Sequence, residues 1–147
     1  MKSSLLLQHP LHPSLVHFPI AFWLGSSASD LIALRTANPA WWTVSHYAVA
    51  AGVIMGAITL LAGVLELWLR KLPLEAWRWA GLHAGLMSTA LLVFLVSLSW
   101  RGVSPPPMSP VWVSLCGSAL VVAGGFCGGT LVYGYGVGVS WRGEKGE

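Results

Sequence analysis

The chain has 147 residues, 55% of them hydrophobic and only 9% charged, with a formal net charge of +3 and a mean hydropathy of +0.69. Water-soluble domains carry about 25% charged residues, so eight Lys/Arg and five Asp/Glu are too few to clothe a water-facing surface. This excludes a soluble domain, a disordered chain and a nucleic-acid binder, which needs a basic stripe to grip phosphates.

The charges divide the chain into uncharged runs over Ser3–Ser29, Thr36–Leu65, Trp79–Trp100 and Gly102–Trp141. A helix of about 20 apolar residues crosses a hydrocarbon core, so these runs predict four spans in a single domain over residues 1–147. The fold class is all-α, an antiparallel four-helix membrane bundle. Continuous hydrophobicity, without the alternation of a barrel strand, argues against a β-barrel.

The first span covers about 15–34. Met1, Lys2 and the apolar stretch after them look like a signal peptide, but Gln8-His9-Pro10-Leu11-His12-Pro13 interrupts it. No small-x-small cleavage site follows, so the N-terminus is expected to be retained. The second span covers about 41–69, after the link Arg35-Thr36-Ala37-Asn38-Pro39. The third covers about 78–100, after Arg70-Lys71-Leu72-Pro73-Leu74-Glu75. The fourth covers about 111–135, after a link that contains Pro105-Pro106-Pro107, which cannot continue a helix. No linker is long enough to separate domains, and no internal repeat is evident.

Eight of the nine tryptophans sit at expected span ends, where an indole is buried while its N–H stays wet. Trp23 alone lies well inside a span. Lys2, Arg70, Lys71, Arg78, Arg142 and Lys145 fall on one side, against Arg35 and Arg101 on the other. The excess of positive charge predicts that both termini are cytoplasmic. Cys116 and Cys127 lie eleven residues apart on one helix, roughly 16 Å along its axis. That is too far for a mutual disulfide, and no C-x-x-C-H motif signals covalent haem.

Antiparallel threading gathers polar residues towards one side. His9, His12, His17, Glu66, His83 and Tyr135 are expected there, with Asp30 and His46 towards the other face. The latter two, near the ends of adjacent spans, are read as a structural carboxylate–imidazole pair. On the fourth span Gly117, Gly124, Gly128 and Tyr135 fall within about 40° of one another. Gly52, Thr59, Gly63 and Glu66 share a face of the second, and Met87 follows His83 at i+4 on the third. Such glycine rows let helices approach closely, and they also leave room for a flat macrocycle.

The opening His9-Pro10-Leu11-His12-Pro13-Ser14-Leu15-Val16-His17-Phe18-Pro19-Ile20 resembles the start of the domain of unknown function 2231 family. Asp30, Gly63-x-x-Glu66, Arg78-x-x-Gly81-x-His83 and the closing Gly128-Gly129-x-Leu131-Val132-Tyr133-Gly134-Tyr135-Gly136-Val137-Gly138-Val139 extend the resemblance over about residues 8–139. Family members often carry Asp where Glu66 stands. The resemblance implies a four-span bacterial inner-membrane protein and, more loosely, kinship with small four-helix di-haem cytochromes.

Three functions follow from these residues. The first is a b-type haem-binding or electron-transfer subunit of a larger redox complex. Two neutral imidazoles on facing helices can hold an iron from both sides. His83 and His17 are the expected ligands and His12 competes with His17. Glu66 would accept an imidazole N–H, Tyr135 would close the rim, and Gly124 and Gly128 would admit the macrocycle. The second is a transition-metal or proton site drawn from His9, His12, His17, Glu66 and His83. The third is an accessory subunit without chemistry, packed in the bilayer against other membrane subunits or further copies of itself. No G-x-S-x-G, phosphate loop or activated Cys/His pair supports a hydrolase, and an enzyme acting alone is not expected.

Overall fold

The structure is a computed structural model that describes residues 11–101 and 107–139. His9, Lys2, Trp141, Arg142 and Lys145 lie outside the described residues. The elements are α1 (Leu11–Leu15), α2 (His17–Thr36), α3 (Pro39–Leu69), α4 (Leu74–Trp100) and α5 (Met108–Tyr135). No strand occurs among the described residues. Taking α1 and α2 together, there are four helical stretches long and apolar enough to cross a membrane. The four-helix reading holds.

The span limits follow from local chemistry. The Val16 and Ile20 amides reach back to the His12 and Val16 carbonyls, so α1 leads into α2 and the first span begins at Leu11, four residues before the expected start. Pro13 sits in the first turn, where a missing N–H costs nothing, whereas Pro19 has no N–H for the Leu15 carbonyl and marks the break. Asn38 caps α3 by accepting from the Ala40 amide at 3.0 Å, with Pro39 at the first helical position. Gly136 ends α5 at φ 65°. Its amide meets the Val132 carbonyl and that of Val137 the Leu131 carbonyl, which closes the last turn with a left-handed residue.

The bundle is apolar outside and partly polar inside. Leu61, Leu92, Val122 and Phe126 face outwards, while Ser26, Asp30, Ser45, Ser97, Arg101 and Ser114 are buried. Lipid tails are as apolar as leucine, so burial of leucine cannot drive the helices together, and close packing and hydrogen bonds must do it.

Packing is closest within two hairpins, α2 with α3 and α4 with α5, and sparser between them. Within each hairpin, glycines on the second helix receive side chains of the first. A Cβ on Gly52 or Gly56 would collide with the Trp23 indole, and one on Gly63 would lie 2.8 Å from His12 Nδ1. In the second hairpin Gly117 receives Phe94, Gly124 receives Met87 and Gly128 receives His83. The glycine row on the fourth span therefore shares one neighbour, α4.

These contacts reveal an internal repeat that the sequence alone did not suggest. His12 and Trp23 are eleven residues apart, as are His83 and Phe94, and so are Gly52 and Gly63, and Gly117 and Gly128. Equivalent residues then meet across the seam. His12 lies against His83 with ring centres 5.9 Å apart, Trp23 stacks on Phe94 at 4.8 Å, and Asp30 pairs with Arg101. Residues that meet their own equivalents lie on a two-fold axis. The hairpins are thus related by an approximate two-fold that runs along the bundle, so the repeat is a parallel one.

Candidate functional site: an imidazole pair between two hairpins

At one end of the bundle His12 and His83 face one another across the seam, with ring planes 88° apart. His12 Nδ1 lies 2.9 Å from the Thr59 carbonyl and His83 Nδ1 lies 2.8 Å from the Gly124 carbonyl. Thr59 and Gly124 are again equivalent positions of the repeat. A carbonyl can only accept, so each Nδ1 is a donor, and in the neutral ring this tautomer leaves a lone pair on Nε2. Donation of the second ring nitrogen to a backbone carbonyl also fixes the orientation of metal-binding histidines.

Glycine makes this seating possible. Gly63 lies flat under the His12 ring and Gly128 under that of His83, where an alanine Cβ would stand 3.1 Å from Nδ1 and Cε1. Gly124 and Gly128 are therefore filled by Met87 and His83 themselves. The room expected there for a macrocycle is taken by the imidazoles, because the glycines serve packing within the hairpin.

Glu66 joins the site differently from expectation. Its Oε1 accepts the backbone N–H of His12 at 2.8 Å, so it anchors α1, and the ring is oriented by the Thr59 carbonyl instead. Its Oε2 lies 3.9 Å from Arg70 Nε, an i,i+4 ion pair. Tyr135 is half-buried and lines a cleft at the same end of the bundle.

His17 is exposed and is not brought to His83. Five residues along a helix is a rotation of about 140°, so once His12 faces inwards His17 faces out. Among the described residues no group of three or more His, Cys, Asp or Glu side chains gathers as metal ligands. The larger His/Glu cluster is therefore not assembled there.

At the other end the expected Asp30–His46 pair does not form. His46 lies against Tyr47, and Asp30 is bound by Arg101, which closes α4 and turns into the bundle. Arg101 Nη1 donates to Asp30 Oδ1 and Ser45 Oγ, both at 2.9 Å, and Nη2 donates to Asp30 Oδ2 and to Ser114 Oγ at 3.0 Å. Nε donates to Ser97 Oγ at 3.2 Å. All five guanidinium donors are used, on acceptors from α2, α3, α4 and α5. Arg is the better partner because its planar fork matches both carboxylate oxygens and stays charged when buried.

Between the two polar ends lies an apolar layer of Trp23, Val49, Ala90, Phe94 and Val121. The polar groups thus form separate clusters with an aromatic stack between them.

Comparison with curated proteins and with solved structures gave no match. Residues 8–141 match the family described as predicted membrane protein, a domain of unknown function numbered 2231. The match runs from the residues just before His12 to those just past the glycine turn after Tyr135, and so includes both hairpins and both polar ends. The chain belongs to that family.

Proposed function

We propose that this chain is a small redox subunit of a bacterial inner-membrane assembly, in which His12 and His83 are the two facing ligands of a b-type haem. The imidazole pair carries this reading. Two metal–nitrogen bonds of about 2 Å and the two half-rings put facing imidazole centres roughly 6 Å apart, which agrees with the 5.9 Å here. The Nε2 lone pairs are the correct donors, and the sparser seam between hairpins is the plane along which a flat group would enter. Bound there, the group supplies one-electron transfer. The chain contributes ligand orientation through the Thr59 and Gly124 carbonyls and holds His12 in place through Glu66. The described residues are almost wholly membrane-length helices, and a membrane partner or a second copy would pass the electrons on. The charge count supports cytoplasmic termini, so a probe at position 145 should be shielded from impermeant reagents in whole cells.

The test is the absorption spectrum of the detergent-purified protein from haem-replete cells, oxidised and dithionite-reduced. The expected result is a sharp reduced α-band confirmed as a pyridine haemochrome. Both His12→Ala and His83→Ala should abolish it, and His17→Ala should keep it. A colourless, folded protein overturns the haem reading. Metal analysis of the same sample then separates an ion bound by the two imidazoles from a packing subunit without cofactor.

A further inference from the structure

Below the imidazole pair, a cleft of about 360 Å³ opens at the end of the bundle between residues 69–73 and residues 135–138. The repeat relates these two segments, since Arg70 stands 65 residues before Tyr135, as Gly63 does before Gly128. One wall brings Arg70 and Lys71, and the other brings Tyr135 and the turn through Gly136 and Gly138, both at positive φ. The repeat has become asymmetric here: the first hairpin supplies cations and the second a phenol on a glycine turn.

Arg70 is the informative residue. Its Nε and Nη2 are buried and have no hydrogen-bond partner among the described residues. Glu66 Oε2, at 3.9 Å, is too distant for a hydrogen bond and gives only a Coulombic contact. A buried guanidinium nitrogen without an acceptor is costly, and an anion is the acceptor that the neighbouring Lys71 charge would also favour. Arg70, Lys71 and Tyr135 all line the cleft, and guanidinium, ammonium and phenol together are a phosphate-binding set. We propose that this cleft binds a phosphate ester, with Arg70 donating to its oxygens, Lys71 supplying the second charge and Tyr135 closing the rim. This site does not depend on a haem. The same chemistry is offered by the headgroup of an anionic lipid at the membrane face, where juxtamembrane cations find such lipids, and by a soluble phosphate.

The full chain in detergent would be titrated with phosphatidylglycerol and phosphatidylcholine and followed by native mass spectrometry. Inorganic phosphate would be added in a parallel thermal-shift series. We expect phosphatidylglycerol to be retained over phosphatidylcholine. Arg70→Gln should reduce that preference about tenfold, the worth of a charge-assisted contact, and Lys71→Gln about fivefold. Arg78→Gln, at an exposed residue of the same end, should leave it unchanged. Binding of lipid alone assigns a lipid headgroup, and binding of inorganic phosphate with the same variant pattern assigns a soluble phosphate. If neither binds, or if Arg78→Gln loses as much as Arg70→Gln, the site is overturned. Should Arg70→Gln not fold, Lys71→Gln and Tyr135→Phe carry the same test.

Discussion

Asp30 and Arg101 occupy equivalent points of two repeated hairpins, 71 residues apart, yet carry opposite charges and neutralise each other with 0% and 1% of their side chains exposed. Losing either partner strands the other in a medium that cannot solvate it, at a cost of about 3–5 kcal/mol. Asp30→Ala and Arg101→Ala should each lower the melting temperature in detergent sharply. Because the positions are related by the two-fold, the exchange Asp30→Arg with Arg101→Asp should recover a substantial part of the loss. No recovery would show that the serines around Arg101, rather than the ion pair itself, fix its direction.

Trp23 and Trp68 give opposite results on the same substitution. Trp23 is 1% exposed and stacked on Phe94, whereas Trp68 is 86% exposed at a helix end. Trp23→Ala should destabilise by about 3–5 kcal/mol through the cavity it leaves, and Trp68→Ala by less than about 1 kcal/mol. Equilibrium unfolding in mixed detergent measures both.

The glycines sort by what faces them. Gly52→Ala places a methyl against the Trp23 indole, while nothing lies within 4 Å of a Cβ on Gly125. Overpacking should cost about 1–3 kcal/mol at Gly52. Gly125→Ala should be neutral or stabilising by up to about 1 kcal/mol, since alanine is the better helix former. Thermal melts of the two variants side by side check this.

Glu66 holds α1 through one backbone N–H. Glu66→Ala should speed amide exchange at His12 by about tenfold, the worth of one such bond, and Glu66→Gln, which keeps an acceptor oxygen, should not. Exchange that is fast in the parent chain would show that α1 frays.

The sequence made the four spans legible because hydrophobicity and charge gaps act over twenty residues at a time, and the observed helices differ from expectation mainly by earlier starts. It did not make the partners legible. His17 looked like the better ligand because it stands near the expected start of its span, as His83 does, whereas a proline in the first turn breaks nothing and lets the helix begin before His12. The Asp30–His46 pair was plausible by depth alone, but depth does not say which way Arg101 turns at the end of α4. The repeat was hidden because few residue types are shared. What is retained is spacing: an imidazole and an aromatic eleven residues apart on one helix, and two glycines eleven apart on the next.

The Trp23–Phe94 stack also has an electrical consequence. The imidazole pair sits eleven residues from it, roughly 16 Å along the helix, towards one end of the bundle. His83 stands nine residues inside the start of α4, about 14 Å along a helix of about 40 Å, so the larger part of the bundle's length lies on the far side of that pair. Carrying one charge across the whole membrane involves about 2.3 kcal/mol per 100 mV, and a charge that reaches His12 and His83 from their own end crosses the smaller part of that field. A group taking up charge there from that end would therefore feel only a fraction of the membrane voltage.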